Sequence, residues 1–242
     1  MAVTNAGPPA LQARPKLVAP LWHTLGLLLL LLIISLGGYR MQSWSPVGES
    51  GKQHAGNVLL YLSVIVSEWA LFYYVWRGGL RQGATPLRQL IGGRWSNRKD
   101  VLLDIAVAAG FWIIWTGVAI FMNFVVGPSE AKSLGFLNPR GVVEITLWVI
   151  MSLTAGFCEE LVFRGYLQAQ FLALTGHAAF AVPAQAVVFG ISHIYQGIRK
   201  VIVITVLGIL FGLLAQWRKS LRPGMISHAW SDILNVIPIR FP

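Results

Sequence analysis

Carboxylates are scarce in this chain. Nine Asp and Glu stand against 19 Lys and Arg among 242 residues, and all charged residues together make up only 12%. With 55% hydrophobic residues, that shortage excludes an ordinary soluble domain, in which about a quarter of residues are charged. An integral membrane protein is what remains. Cysteine is nearly absent as well. Cys158 is the only one, so no intrachain disulfide can form, and it reads as a small residue easing helix packing rather than as a catalytic thiol. There is no H-E-x-x-H, which excludes a standard zincin site, and no G-x-S-x-G. Ser192 and Ser227 each precede a histidine, but neighbours on a helix point about 100° apart, so neither forms an obvious nucleophile pair. The repeated half-sequences with paired broken helices that mark many transporters are missing too.

What the chain does contain is apolar length. Runs at 22–39, 56–76, 101–127, 142–174, 178–194, 201–217 and 225–239 approach the roughly 20 residues a helix needs to cross about 30 Å of hydrocarbon. The fold expected is all-α, a polytopic membrane bundle of seven transmembrane helices, or eight if 142–174 divides near Gly165, with its site in the C-terminal half. Residues 1–20 read as a disordered cytoplasmic tail, 21–140 as three N-terminal helices, and 141–242 as the functional core. Arg14 and Lys16 precede the first run, but no A-x-A cleavage site follows it, so it reads as an uncleaved first helix. The segment 77–100 carries six Lys/Arg and one acid. By the positive-inside rule it is a cytoplasmic, headgroup-binding loop, which places the N-terminus inside; no nucleic-acid partner is expected.

Against this background the stretch GFCEELVFRGY at 156–166 stands out, because each ionisable group within a bilayer is costly and is by default a functional hypothesis. Glu160 and Arg164 are spaced i,i+4 with the acid first, the favourable orientation for a helical ion pair. Glu159 is rotated away by about 100° and is the carboxylate left for chemistry. His193 is its expected partner. If the chain turns at 175–177, Glu159 lies 17 residues before Gly176 and His193 17 after it, so the two sit at similar depth in an antiparallel hairpin. The last run adds His228, Asp232 and Asn235, a polar stripe that must face protein or water, though hairpin geometry puts His228 several ångströms from the plane of His193. By contrast, His23 reads as a residue of the membrane edge and His177 as a loop residue. Glu68, Asp104 and Glu144 read as interhelical or edge groups without a convergent motif.

Such a cluster suits three kinds of chemistry: hydrolysis by a carboxylate-activated water, a metal site, or a proton relay. His193, His228 and a carboxylate are acceptable ligands for a divalent metal such as zinc. Glu159-Glu160-x3-Arg164, Phe189-x3-His193 and His228-x3-Asp232, in this order on successive segments, resemble the three motifs of the type II CAAX prenyl endopeptidase and bacteriocin-processing family of intramembrane proteases. The FRG at 163–165 and GILFGLLAQW within the 201–217 run resemble it too.

The resemblance covers roughly 141–239. It implies an all-helical endopeptidase of a bacterial plasma membrane, acting on membrane-associated or prenylated peptides. Glu159 would be the base, His193 its partner, Glu160 with Arg164 a supporting ion pair, and His228 the residue that steadies the oxyanion. Phe189 belongs to the second motif. Such proteases have been described both as metal-dependent and as glutamate-dependent, and both readings stand here. Position 232 departs from the family, which often has asparagine there; Asp232 if ionised only accepts hydrogen bonds, and is expected to orient His228 as a cation. A non-proteolytic scaffold or bacteriocin-immunity protein of the same fold is the alternative.

Overall fold

The computed structural model describes residues 16–44, 50–81, 86–92, 94–127 and 138–234, with side chains at all of these except 41–44, 50–56 and 89. Among the described residues the regular structure is helical: α1 (Leu21–Trp44), α2 (Ser50–Val75), α3 (Leu87–Ile91), α4 (Arg98–Val126), α5 (Gly141–Glu159), α6 (Gln168–Thr175), α7 (Ala178–Ser192), α8 (Ile198–Arg218) and α9 (Arg222–Leu234). As far as the described residues reach, each of the seven apolar runs is a helix or the body of one. Five helical stretches are long and apolar enough to cross a membrane, and α7 is a shorter apolar helix. The bundle is therefore that of a multi-pass membrane protein.

Local sequence sets several boundaries. Asn97 opens α4 with a reciprocal cap, its side chain accepting from the Asp100 amide while the Asp100 carboxylate accepts from the Asn97 amide. Gly176 closes α6 at φ 75°, a left-handed conformation that glycine adopts without a Cβ penalty, and so makes the expected turn at 175–177. The 142–174 run does not divide at Gly165. Helix continues from Gly141 to Thr175 through a π-helical stretch, Glu160–Leu167, whose residues are all buried. Insertions of this kind widen a helix locally and often occur at functional sites.

With no hydrophobic drive between helices in lipid, close packing of small residues holds them together. A Cβ on Gly208 of α8 would lie 3.0 Å from the Ala186 Cβ of α7. A Cβ on Gly156 of α5 would lie 2.8 Å from the Met225 carbonyl oxygen and 2.9 Å from the Ala229 nitrogen of α9. The core gathers Leu27, Leu31, Leu71, Val75, Leu161, Tyr166, Leu167 and Phe189, while Ile113, Ile114 and Phe124 on α4 are exposed, as a lipid-facing surface requires.

Polar ties fasten helix ends together. Asp104 of α4 takes Arg218 at 3.0 Å, Arg222 at 3.3 Å and the Trp95 indole at 2.8 Å, an interhelical role matching its reading from sequence. The amides of Val18 and Ala19 donate to the Gln170 side chain, so this end of the expected tail is anchored on α6; residues 1–15 and Asn235 lie outside the described residues. His23 corrects its sequence reading. It is buried, with Nδ1 2.8 Å from the Tyr166 hydroxyl and its ring stacked on Tyr74 at 4.2 Å, because the π-helical stretch turns Tyr166 toward α1.

Candidate active site

Glu159 ends α5 and Glu160 begins the π-helical stretch, so both stand where helix geometry changes. Glu160 is buried, and its Oε1 lies 3.1 Å from Arg164 Nη1, forming the anticipated i,i+4 pair. Arg164 is buried too. Its guanidinium lies 4.3 Å from the centre of the Phe189 ring and 5.1 Å from that of Phe211. Cation–π attraction strengthens when water is excluded, so these rings help to keep a charge where lipid would reject it.

Glu160 does more than neutralise Arg164. The same Oε1 accepts from Nδ1 of His228 at 3.1 Å. The far side of that imidazole faces two other carboxylates, with Nε2 3.6 Å from Glu159 and 3.8 Å from Asp232. His228 is thus ringed by three acids, and Glu160 holds it more closely than Asp232 does. The close crossing of α5 and α9 at Gly156 makes this possible. Gly224 contributes as well, since a Cβ there would sit 3.0 Å from Glu160 Oε2. The Trp148 indole donates to the Asp232 carbonyl oxygen at 3.0 Å, tying the two helices together again.

His193 is held differently. It lies past the end of α7 with non-helical backbone, φ −102° and ψ 17°. Its Nδ1 donates to the Phe189 carbonyl oxygen at 2.8 Å. Because of that bend, Nδ1 also lies 3.2 Å from the Ser192 hydroxyl, a contact that two residues within a regular helix would not make. Phe189 forms the wall between the two histidines, its ring centre 4.8 Å from that of His193 and 6.2 Å from that of His228. Among the described residues no group of three His, Cys, Asp or Glu side chains is arranged as a metal site. The chemistry below is written for the chain's own groups.

One contributor was not singled out from sequence. Glu68 of α2 lies in hydrogen-bonding contact with Glu159 and within electrostatic range of His228 and Asp232. An acid in the middle of an apolar run was the available signal.

Fold and site together define a helical membrane protein with a carboxylate–histidine centre enclosed among its helices. Residues 141–234 match the family model for Rce1-like proteins, described as type II CAAX prenyl endopeptidase Rce1-like. The match spans α5 through α9, the segment that carries the three motifs. No curated protein and no solved structure gives a significant match to the chain.

Proposed function

We propose that this protein is an intramembrane endopeptidase in which Glu159 activates water against a peptide carbonyl. The observation that carries the reading is the meeting of Glu159 and Glu160 at one imidazole, His228, within an Rce1-like membrane domain. In the mechanism, Glu159 takes a proton from water as the water oxygen bonds to the carbonyl carbon. It returns that proton to the leaving amine as the C–N bond breaks. His228, surrounded by carboxylates, serves as a cationic N–H donor to the oxygen that gains charge, where a donor in a water-poor site acts most strongly. Arg164 and Glu160 keep it there. With Nδ1 of His193 committed to the Phe189 carbonyl oxygen, Nε2 is the nitrogen that can meet water or the leaving group.

The substrate class is a membrane-associated peptide, with prenylated CAAX-type peptides the first to try. The setting is a bacterial plasma membrane, with the N-terminus and the basic segment 77–100 on the cytoplasmic face. The test uses the purified full chain in detergent with a quenched prenyl-CAAX peptide and a panel of unprenylated membrane peptides. Cleavage is expected for at least one peptide, is lost in Glu159→Gln, and persists in the presence of a strong chelator. Full activity in Glu159→Gln would overturn the mechanism, and activity abolished by chelation and restored by zinc would overturn its metal-free form.

A further inference from the structure

The Rce1-like segment begins at residue 141, yet the centre does not consist of that segment alone. α2 packs along α5, and its inward face is legible in the numbering. Asn57, Tyr61, Glu68, Leu71 and Val75 fall on the alternating three- and four-residue spacing of a helix–helix seam; around Glu68, the other four are buried. Aromatic contacts fix the register of that seam. Tyr61 meets Trp148 edge-on at 5.7 Å, and Trp69 and Phe72 meet Phe157 at 5.9 and 5.6 Å. In this register Glu68 falls opposite the turn of α5 that precedes Glu159, and its carboxyl lies in hydrogen-bonding contact with the Glu159 side chain.

Oε2 of Glu68 and Oε2 of Glu159 are both buried, and neither has a hydrogen-bond donor among the described residues. Two carboxylates cannot hydrogen-bond each other without a proton between them, so the contact requires one of the pair to be the donor. Glu159 Oε2 is directed at the His228 imidazole, 3.6 Å from its Nε2. Glu68 has His228 and Asp232 only within electrostatic range, and so is the better donor.

We propose that Glu68 is a positioning residue: its carboxyl group donates a hydrogen bond to Glu159 and holds that carboxylate in the rotamer that faces His228. The N-terminal helices thereby supply part of the site, rather than serving only as membrane anchors for the matched domain. This rests on the endopeptidase reading for its catalytic consequence, but the contact itself can be tested without it.

Two substitutions separate positioning from packing. Glu68→Gln keeps the size and offers an amide donor, while Glu68→Leu keeps the bulk and removes the donor. With the peptide the full-length protein cleaves best, Glu68→Gln is expected to retain most of kcat. Glu68→Leu is expected to lose on the order of 100-fold in kcat, as a misplaced catalytic group does, with KM nearly unchanged and no fall in Tm. Wild-type kcat in Glu68→Leu would overturn the proposal while leaving the endopeptidase reading intact. Equal loss in both variants would overturn it too, because a donor at 68 would then not be what matters.

If the wild-type protein cleaves none of the peptides, the functional reading fails, and the contact is decided by thermal unfolding in detergent. Tm is then measured for Glu68→Leu, Glu159→Leu and the double variant. Non-additive shifts support the Glu68–Glu159 bond, and additive shifts overturn it.

Discussion

The two motif histidines both pack against Phe189 but are secured by different means. His228 sits within a helix, α9, and is gripped by side-chain carboxylates, Glu160 at 3.1 Å and Glu159 at 3.6 Å. His193 sits beyond the end of α7 and is fixed through a backbone carbonyl four residues back. A charge held by charges is part of the bundle's stability, because removing one partner strands the others. A ring held by the backbone can be removed with little loss to the fold. The contrast predicts that the two residues separate when activity and stability are measured together.

The largest effect is expected for His228→Ala. Loss of the imidazole leaves Glu159 and Glu160 facing each other across a cavity, and breaking a buried charge pair in this way costs about 3–5 kcal/mol. A lower Tm in detergent and a loss of cleavage on the order of 1,000-fold or more should appear together. A variant with wild-type Tm would show that the ring of carboxylates does not depend on His228.

Gly156→Val attacks the same grip without touching a polar group. Its Cβ would fall 2.8 Å from the Met225 carbonyl oxygen, so α9 must move away from α5 and take His228 with it. Overpacking of this kind costs roughly 1–3 kcal/mol, and cleavage should drop by about 100-fold, the scale for a site displaced by an ångström. Normal activity would mean that the close crossing does not set the position of His228.

His193→Ala is the sharpest test of the comparison. Activity should fall by about 100-fold if the ring takes part in proton transfer, while Tm should barely change. Destabilisation equal to that of His228→Ala would erase the distinction between the two histidines.

The same contrast explains what could be read from sequence. The seven apolar runs became helices because hydrophobic length and glycine-marked turns are local properties, and Glu160–Arg164 was legible because i,i+4 spacing is also local. Depth along a hairpin suggested pairing Glu159 with His193, whereas the imidazole found 3.6 Å from Glu159 is that of His228. Depth, however, says nothing about azimuth. Which histidine meets the carboxylates depends on how closely two helices cross, and that is decided by Gly156 and Gly224, whose lack of a side chain matters only once the partner helix is known. Glu68 was read as an interhelical group without a motif for a related reason: its motif is completed by α5, some 90 residues further along the chain. His23 was read as a residue of the membrane edge because Tyr166, the residue that receives it, is more remote still in sequence.

The smallest effect is expected at Asp232, where the chain departs from the family pattern. Its carboxylate lies 3.8 Å from His228 Nε2, and its side chain is 37% exposed, against 1% for Glu160. A partner that distant and that wet adds at most about 1 kcal/mol, so orientation of His228 falls mainly to Glu160. Asp232→Asn should therefore change kcat by only a few-fold and leave Tm in place, whereas Glu160→Gln, which weakens the hold on both Arg164 and His228, should lower both. Were Asp232→Asn to abolish cleavage instead, the aspartate rather than Glu160 would be the group that sets the imidazole, and the grip on His228 would have to be assigned to α9 itself rather than to the crossing of α9 with α5.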